Sequence, residues 1–244
     1  MQLFSKVDIG KVRLSNQDAA DAFMLSSAAA FAITCDGMGG ANGGDIASGT
    51  AIKVITDYVK NSYSDKLSND QVAQLLKNAI SSANYEIHDL AGKDTALSGM
   101  GTTVVAAVVR ENYAVISHVG DSRAYLINDG IIQITTDHSV VQSLVESGKI
   151  TASEAQLLPE KNIITRALGV DSEVFPDFSV VPLNPDDIIL LCTDGLTNFT
   201  ERTEILDIFK QNRIEEVAEL LIKSANSKGG GDNISVVIVS QKRG

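Results

Sequence analysis

TTVVAAVVRENYAVISHVGDSRAYLINDGIIQI, residues 102–134, is the stretch whose reading decides the fold. It holds four strand candidates in series, over 102–109, 113–119, 124–127 and 131–134. Valine and isoleucine dominate it, as suits a pleated, buried surface. Asn128-Asp129-Gly130 is a hairpin signal between the last two. Strands that follow one another with only turns between them pair antiparallel, whereas a doubly wound sheet would place a helix after each. The fold class expected is therefore α+β.

On the upstream side, a strand over 3–9 leads through a turn at Gly10 to Arg13-Leu14-Ser15-Asn16-Gln17-Asp18, and 23–25 with 28–35 reads as a hairpin. Residues 45–59 are helix-like, with Ile46, Ala47, Ile52, Val54, Ile55 and Val59 on one side. The capping box Ser68-Asn69-Asp70-Gln71 starts a second helix that carries Val72, Leu75, Leu76, Ala79, Ala83, Ile87 and Leu90 at helical spacing. Downstream, 137–173 is helical and irregular, with a capping box at Thr151-Ala152-Ser153-Glu154. Strands follow over 174–181 and 187–193, then helices over 203–210 and 214–225, the latter entered through a capping box Asn212-Arg213-Ile214-Glu215, and a last strand over 234–240. Helix pairs separated by many antiparallel strands predict two sheets packed face to face with helices outside.

The chain has 244 residues and no Pro/Ser-rich or low-complexity divide, so one domain over 1–244 is expected. Its formal charge of −11, with the basic residues scattered, excludes nucleic acid and anionic membrane as natural partners. No apolar run approaches the ~20 residues of a membrane helix. The first ten residues include Lys6 and Asp8 and lack the apolar core of a signal peptide, so a cytoplasmic protein is expected. Cys35 and Cys192 both fall in buried-strand candidates. They read as small reduced core residues, with a redox switch beside Asp36 or Asp194 as the alternative.

Three carboxylates share one setting. The apolar run Ala28-Ala29-Ala30-Phe31-Ala32-Ile33 ends at Thr34-Cys35-Asp36-Gly37-Met38-Gly39-Gly40, and Ile188-Ile189-Leu190-Leu191-Cys192-Thr193 ends at Asp194-Gly195. Asp232 stands between Gly229-Gly230-Gly231 and the strand candidate from Ile234. Brought together, such carboxylates repel one another unless a cation lies between them, and hard cations such as Mg2+ or Mn2+ prefer oxygen ligands.

Asp36-Gly37-Met38-Gly39-Gly40, Met100-Gly101-Thr102-Thr103, His118-Val119-Gly120-Asp121-Ser122-Arg123, Thr193-Asp194-Gly195-Leu196 and Gly229-Gly230-Gly231-Asp232-Asn233 occur in that order. The series resembles the metal-dependent type 2C Ser/Thr protein phosphatases, most closely the compact stand-alone bacterial members, and it covers essentially the whole chain. The resemblance implies a four-layer α-β-β-α sandwich with a flap subdomain over about 137–173. It implies Mn2+ or Mg2+ as cofactor, with two core ions and a weaker third. Asp36 would bridge the two core ions, the Gly37 carbonyl would bind one of them, and Asp194 and Asp232 would complete the other's shell. Asp18 would orient metal-bound water or act as an outer ligand, the alternative being a turn cap after Asn16. Arg13 would bind phosphate, the alternative being a plain surface arginine. Asp121 would hold the third ion, the alternative being an ion pair with Arg123 in its loop. Histidines that serve as proposed general acids in the family are replaced by Met38 and Ala41, so metal-bound water is the expected proton donor. His138 is expected to be a structural hydrogen-bonding residue, His118 to pack in a strand and His88 to lie on a helix surface.

The implied reaction is attack of a metal-activated water on phosphoserine or phosphothreonine, with Asp36 and Asp18 at the chemistry and no covalent intermediate. Phosphorylated proteins would be the substrates, a bacterial Ser/Thr kinase the opposing enzyme, and a monomer the expected state. Neither cysteine sits in a phosphate-cradling loop, and Gly39-Gly40-Ala41-Asn42-Gly43-Gly44 lacks the Lys-Ser/Thr of a nucleotide-binding loop. A phosphoesterase acting on another phosphorylated molecule, or a silent module of the same fold, are the readings left beside it.

Overall fold

A computed structural model describes residues 1–155 and 158–241. In chain order it comprises β1 (Gln2–Asp8), β2 (Asp18–Met24), β3 (Ala29–Met38), α1 (Gly40–Ser62), α2 (Asn69–Lys93), β4 (Gly101–Thr102), β5 (Val104–Arg110), β6 (Tyr113–Val119), β7 (Arg123–Ile127) and β8 (Ile131–Gln133). There follow α3 (Val140–Glu146), α4 (Ala152–Ala155), β9 (Asp177–Pro182), β10 (Ile188–Cys192), α5 (Asp194–Thr197), α6 (Arg202–Gln211), α7 (Ile214–Ser227) and β11 (Ile234–Ser240).

One sheet runs β1-β11-β10-β7-β8 and the other β2-β3-β5-β6-β9, with β4 pairing β3. Every pairing is antiparallel. The continuous apolar run of β3 is explained by burial on both faces. Phe31 and Ile33 point into a core shared with α1 and α2, while Ala30 and Ala32 point at the other sheet. The small alanines let the two sheets approach, and Ile189, Leu191, Val237 and Val239 meet them from the opposite side. Tyr125, Leu190, Val236 and Ile238 face outward onto Ile205, Leu221 and Ile222 of α6 and α7. The result is the expected order of layers, helices, sheet, sheet, helices.

Antiparallel pairing also collects the site at one end. Asp18, first in β2, lies opposite Asp36 near the end of β3. The end of β10 lies beside the beginning of β11, with Cys192 opposite Val236, so Asp194 and Asp232 emerge together. Asp121 sits in the turn from β6 to β7. Strand ends of the two sheets thus meet over a single group of carboxylates.

Several local expectations change. α1 begins at Gly40 and not near Asp45, because Gly39 at φ 119° turns the chain and its carbonyl accepts the Gly43 N–H at 2.9 Å. The box at Ser68 and Gln71 forms, and so does that at Thr151 and Glu154. That expected at Asn212 does not: Arg213 is the N-cap of α7, and Asn212 Nδ2 turns back to donate to the Ile208 carbonyl of α6. The strand expected from 174 starts at Asp177, since Val174 instead packs against the α1/α2 core. A short helix, α5, begins at Asp194 itself. Within 137–173, where the flap is expected, residues 156 and 157 lie outside the described residues.

Candidate active site

Asp36, Asp194, Asp232, Asp18 and Asp121 converge. Burial first, then the charges of Asp18, Asp194, Asp121 and Asp232, holds the Asp36 carboxyl well above the usual carboxylate range. Burial raises Asp18 to about 8, against the Thr193 hydroxyl bond and with help from Asp194 and Asp232. Asp121 is pushed up to about 7 by burial and then by Asp194 and Asp137. Asp194 is raised by burial and by Asp232, while hydrogen bonds from Asp36 and Asn198 oppose the rise. Four carboxylates pushed up in this way, with Asp232 among the charges that push on three of them, form a cluster set up for positive charge.

Two further observations test whether divalent cations fit. Asp18 Oδ1 and Asp194 Oδ1 are buried and have no hydrogen-bond partner among the described residues. Buried carboxylate oxygens left bare in this way are costly, and a hard cation is the ligand that satisfies them. A Cβ at Gly44 would stand 2.7 Å from the Gly37 carbonyl oxygen, and one at Gly37 would stand 2.0 Å from the Gly44 carbonyl. Glycine at both positions keeps a backbone oxygen free of side chains beside Asp36. The residues present fit Mn2+ or Mg2+.

Arg13 lies on Asp232, Nη2 donating to Oδ2 at 2.9 Å, with its side chain 53% exposed. The sequence left Asp121 open between a cation and Arg123, and Arg123 makes a different pair. Its Nε and Nη2 donate to both oxygens of Asp137, at 2.6 to 3.0 Å. Asp18 does not cap a turn either: Asn16 Oδ1 accepts the Asp18 N–H at 3.1 Å, and Asp18 heads β2.

Supporting polar groups, all but Asn198 present in the quoted motifs, had no assigned part. Thr103 Oγ1 accepts the Asp36 N–H at 3.0 Å and lies 2.7 Å from Ser122 Oγ. Thr193 Oγ1 donates to Asp18 Oδ2 at 2.7 Å, and Asn198 Nδ2 donates to Asp194 Oδ2 at 2.9 Å. Asn233 binds the loop before β2, accepting from Gln17 N and donating to the carbonyls of Ile9 and Ser15. For Ser122, Thr193 and Asn233 adjacency to a carboxylate was the signal, and their partners lie far away in the chain.

A second cluster lies beside this one. His118, His138 and Asp177 bring three atoms able to bind a metal within 4.8 Å of one another. Their hydrogen bonding makes them a latch and not a ligand set. His138 Nδ1 accepts the Gly120 N–H at 3.1 Å, which leaves its proton on Nε2, 3.3 Å from Asp177 Oδ2. His118 Nε2 faces the Thr136 carbonyl at 2.8 Å, and the two rings stack at 4.6 Å. His118 is thus in β6, His138 is a hydrogen-bonding residue and His88 is exposed on α2. Of Ala41 only the backbone, in α1, belongs to the described features. Cys35 and Cys192 are fully buried, and burial raises both thiols, Cys192 to about 12, as suits core residues.

The protein phosphatase 2C profile matches residues 11–225. Serine/threonine phosphatase stp of Listeria monocytogenes is 40% identical over 238 residues, spanning 97% of this chain and 94% of that protein. The crystal structure of Stp1 from Staphylococcus aureus superposes with a TM-score of 0.89 at 36% identity, covering 100% of this chain and 95% of that one. The catalytic domain of the phosphatase PstP, solved with 2 manganese ions, gives 0.86 at 32% identity, covering 98% and 97%. The chain belongs to the protein phosphatase 2C family. It is a metal-dependent protein-serine/threonine phosphatase.

Proposed function

We propose that the carboxylate cluster is where the chain hydrolyses phosphoserine and phosphothreonine in proteins. Asp36, the Gly37 carbonyl, Asp194 and Asp232 would hold two divalent cations, Mn2+ or Mg2+, and Asp121 a third. The observation that carries this reading is the convergence of four other carboxylates on buried Asp36, with two buried oxygens of the group left bare. Bound there, the cations supply positive charge that offsets the repulsion and makes water a nucleophile near neutral pH.

The chain's own groups do the rest. Asp36 has two oxygens and stands between the carboxylates of both sheets, so it holds the halves of the site at a fixed separation. Asp18, held at Oδ2 by Thr193, offers Oδ1 to orient a water and accept its proton. Arg13, half-exposed at the rim beside Asp232, presents a planar fork to two phosphoryl oxygens and leaves phosphorus open to in-line attack. The Met38 thioether has no proton to give, so the leaving alkoxide takes its proton from water. Neither buried cysteine can act as a nucleophile.

The names of the relatives support phosphorylated proteins as substrates, and in a bacterium the opposing enzyme would be a Ser/Thr kinase. We further propose one catalytic domain over 1–244 with a flap over about 137–173, acting as a monomer in the cytoplasm. No helix among the described residues is long and apolar enough to cross a membrane. The test is phosphate release from a phosphothreonine peptide with Mn2+, with Mg2+ and with chelator, alongside Asp36→Asn. Release that needs a cation and is lost in Asp36→Asn supports the reading; no release with either cation from the folded protein overturns it.

A further inference from the structure

The mechanism gives the fully buried hydroxyls of Thr34 and Ser235 no part, and Thr193 only its bond to Asp18. They form a chain that crosses between the sheets. Thr34 on β3 meets Ser235 on β11, and the Ser235 hydroxyl is 3.4 Å from Thr193 Oγ1 at the end of β10. Thr193 Oγ1 then lies 2.7 Å from Asp18 Oδ2 on β2. The direction of the last bond is fixed by the backbone. Ser235 N–H and Ser235 Oγ both donate to Thr193 Oγ1, at 2.9 and 3.4 Å, so both acceptor positions of that hydroxyl are taken and its single proton is committed to Asp18. A buried hydroxyl has no water to turn toward instead.

We propose that Thr193 is a positioning residue for Asp18: by donating to Oδ2 it fixes the carboxylate so that the buried, unpartnered Oδ1 is presented to Asp36, Asp194 and Asp232. This rests on the reading of the cluster as a metal centre. The placement has a geometric logic. Asp194, from one sheet, is the next residue in the chain, while Asp18 comes from the other sheet, so the dipeptide Thr193-Asp194 ties the two halves of the site together. A side chain that holds a ligating or water-orienting carboxylate in this way typically governs 10–100-fold in metal affinity or activity.

A merely structural Thr193 would satisfy the Ser235 N–H and nothing more, so the experiment separates the two roles. Mn2+ affinity of the full chain is measured by titration calorimetry without substrate, for wild type, Thr193→Val, Thr193→Ser, Asp18→Asn and the Thr193→Val/Asp18→Asn double variant. Thr193→Val is expected to bind Mn2+ roughly 10–100-fold more weakly. Thr193→Ser, which keeps the donor, is expected to match wild type, and in the Asp18→Asn background Thr193→Val is expected to add no further loss. Wild-type affinity in Thr193→Val, a Thr193→Ser chain as weak as Thr193→Val, or an undiminished loss in the Asp18→Asn background each overturns the role. Should Thr193→Val not fold, Thr193→Cys supplies a weaker donor, and binding equal to wild type in that chain overturns the role as well. A wild-type chain that takes up no Mn2+ refutes the metal centre itself and the Thr193 role with it. Binding that Asp36→Asn abolishes and Thr193→Val leaves intact refutes the Thr193 role alone.

Discussion

Asp36 stands where burial and four neighbouring carboxylates all oppose its ionisation. Its folded-state pKa lies above the unfolded value, so its favourable contribution to stability is present below about pH 4 and is lost as pH rises. Asparagine keeps the shape and removes the charge. Asp36→Asn is therefore expected to melt at a higher temperature than wild type in chelator at pH 8, as calorimetry would show. The same variant should lose on the order of 10²–10³-fold in phosphate release with Mn2+, the scale of removing one preorganised electrostatic group. A variant that is both less stable in chelator and still active would contradict the placement of Asp36 at the centre of the cluster. The residue shows how function is served by a group that the fold alone would not choose.

Among the elements, the segment that follows β8 is held by backbone and imidazole together. His138 N–H donates to the Gly120 carbonyl, Thr165 N–H donates to the His138 carbonyl, and the His138 ring accepts from Gly120 N–H. Burial lowers the pKa of both His118 and His138, and His118 adds to the lowering at His138. A histidine with a depressed folded pKa stabilises above its unfolded pKa of 6.5 and loses that contribution as pH falls. The charged groups facing the His138 ring are His118, Asp177 and Arg166, so a protonated His138 would also meet the Arg166 charge. Amide protection in the segment around 137–140, taken relative to the intrinsic exchange rate at each pH, is expected to fall between pH 7.5 and 5.5 in wild type. In His138→Gln, which does not titrate, that fall in protection should be smaller. Elsewhere, Ser68 accepts the Gln71 N–H to start α2, far from the carboxylates. Ser68→Ala should cost about 1 kcal/mol, a fall of roughly 2–4 °C in Tm, and leave phosphate release unchanged.

For the whole molecule, the site belongs to neither sheet. Asp36 and Asp18 come from one, Asp194 and Asp232 from the segments flanking β10 and β11 of the other, and Asp121 from the turn that crosses between them. A cation bound between the sheets therefore acts as a clasp on the sandwich. With free Mn2+ at about 100 times its dissociation constant, linkage adds about 2.7 kcal/mol, which is roughly 5–10 °C in Tm for a chain of this size. Scanning calorimetry with Mn2+ and with chelator checks this, and Asp36→Asn should lose most of the rise.

The sequence by itself determined the sheet-rich α+β class, the helix pairs and the carboxylates at strand ends, because these depend on local periodicity and on neighbours in the chain. The two-sided burial of β3 was legible in its unbroken apolar run, and the box at Ser68 in its spacing. Tertiary structure decided what depends on partners far away in sequence. It gave Arg123 to Asp137 and not to Asp121, turned Asn212 back onto α6, and committed the Thr193 proton to Asp18. Local pattern fixes which groups a chain can present; only packing of one sheet against the other fixes which of them meet, since a side chain takes the partner that burial brings within reach.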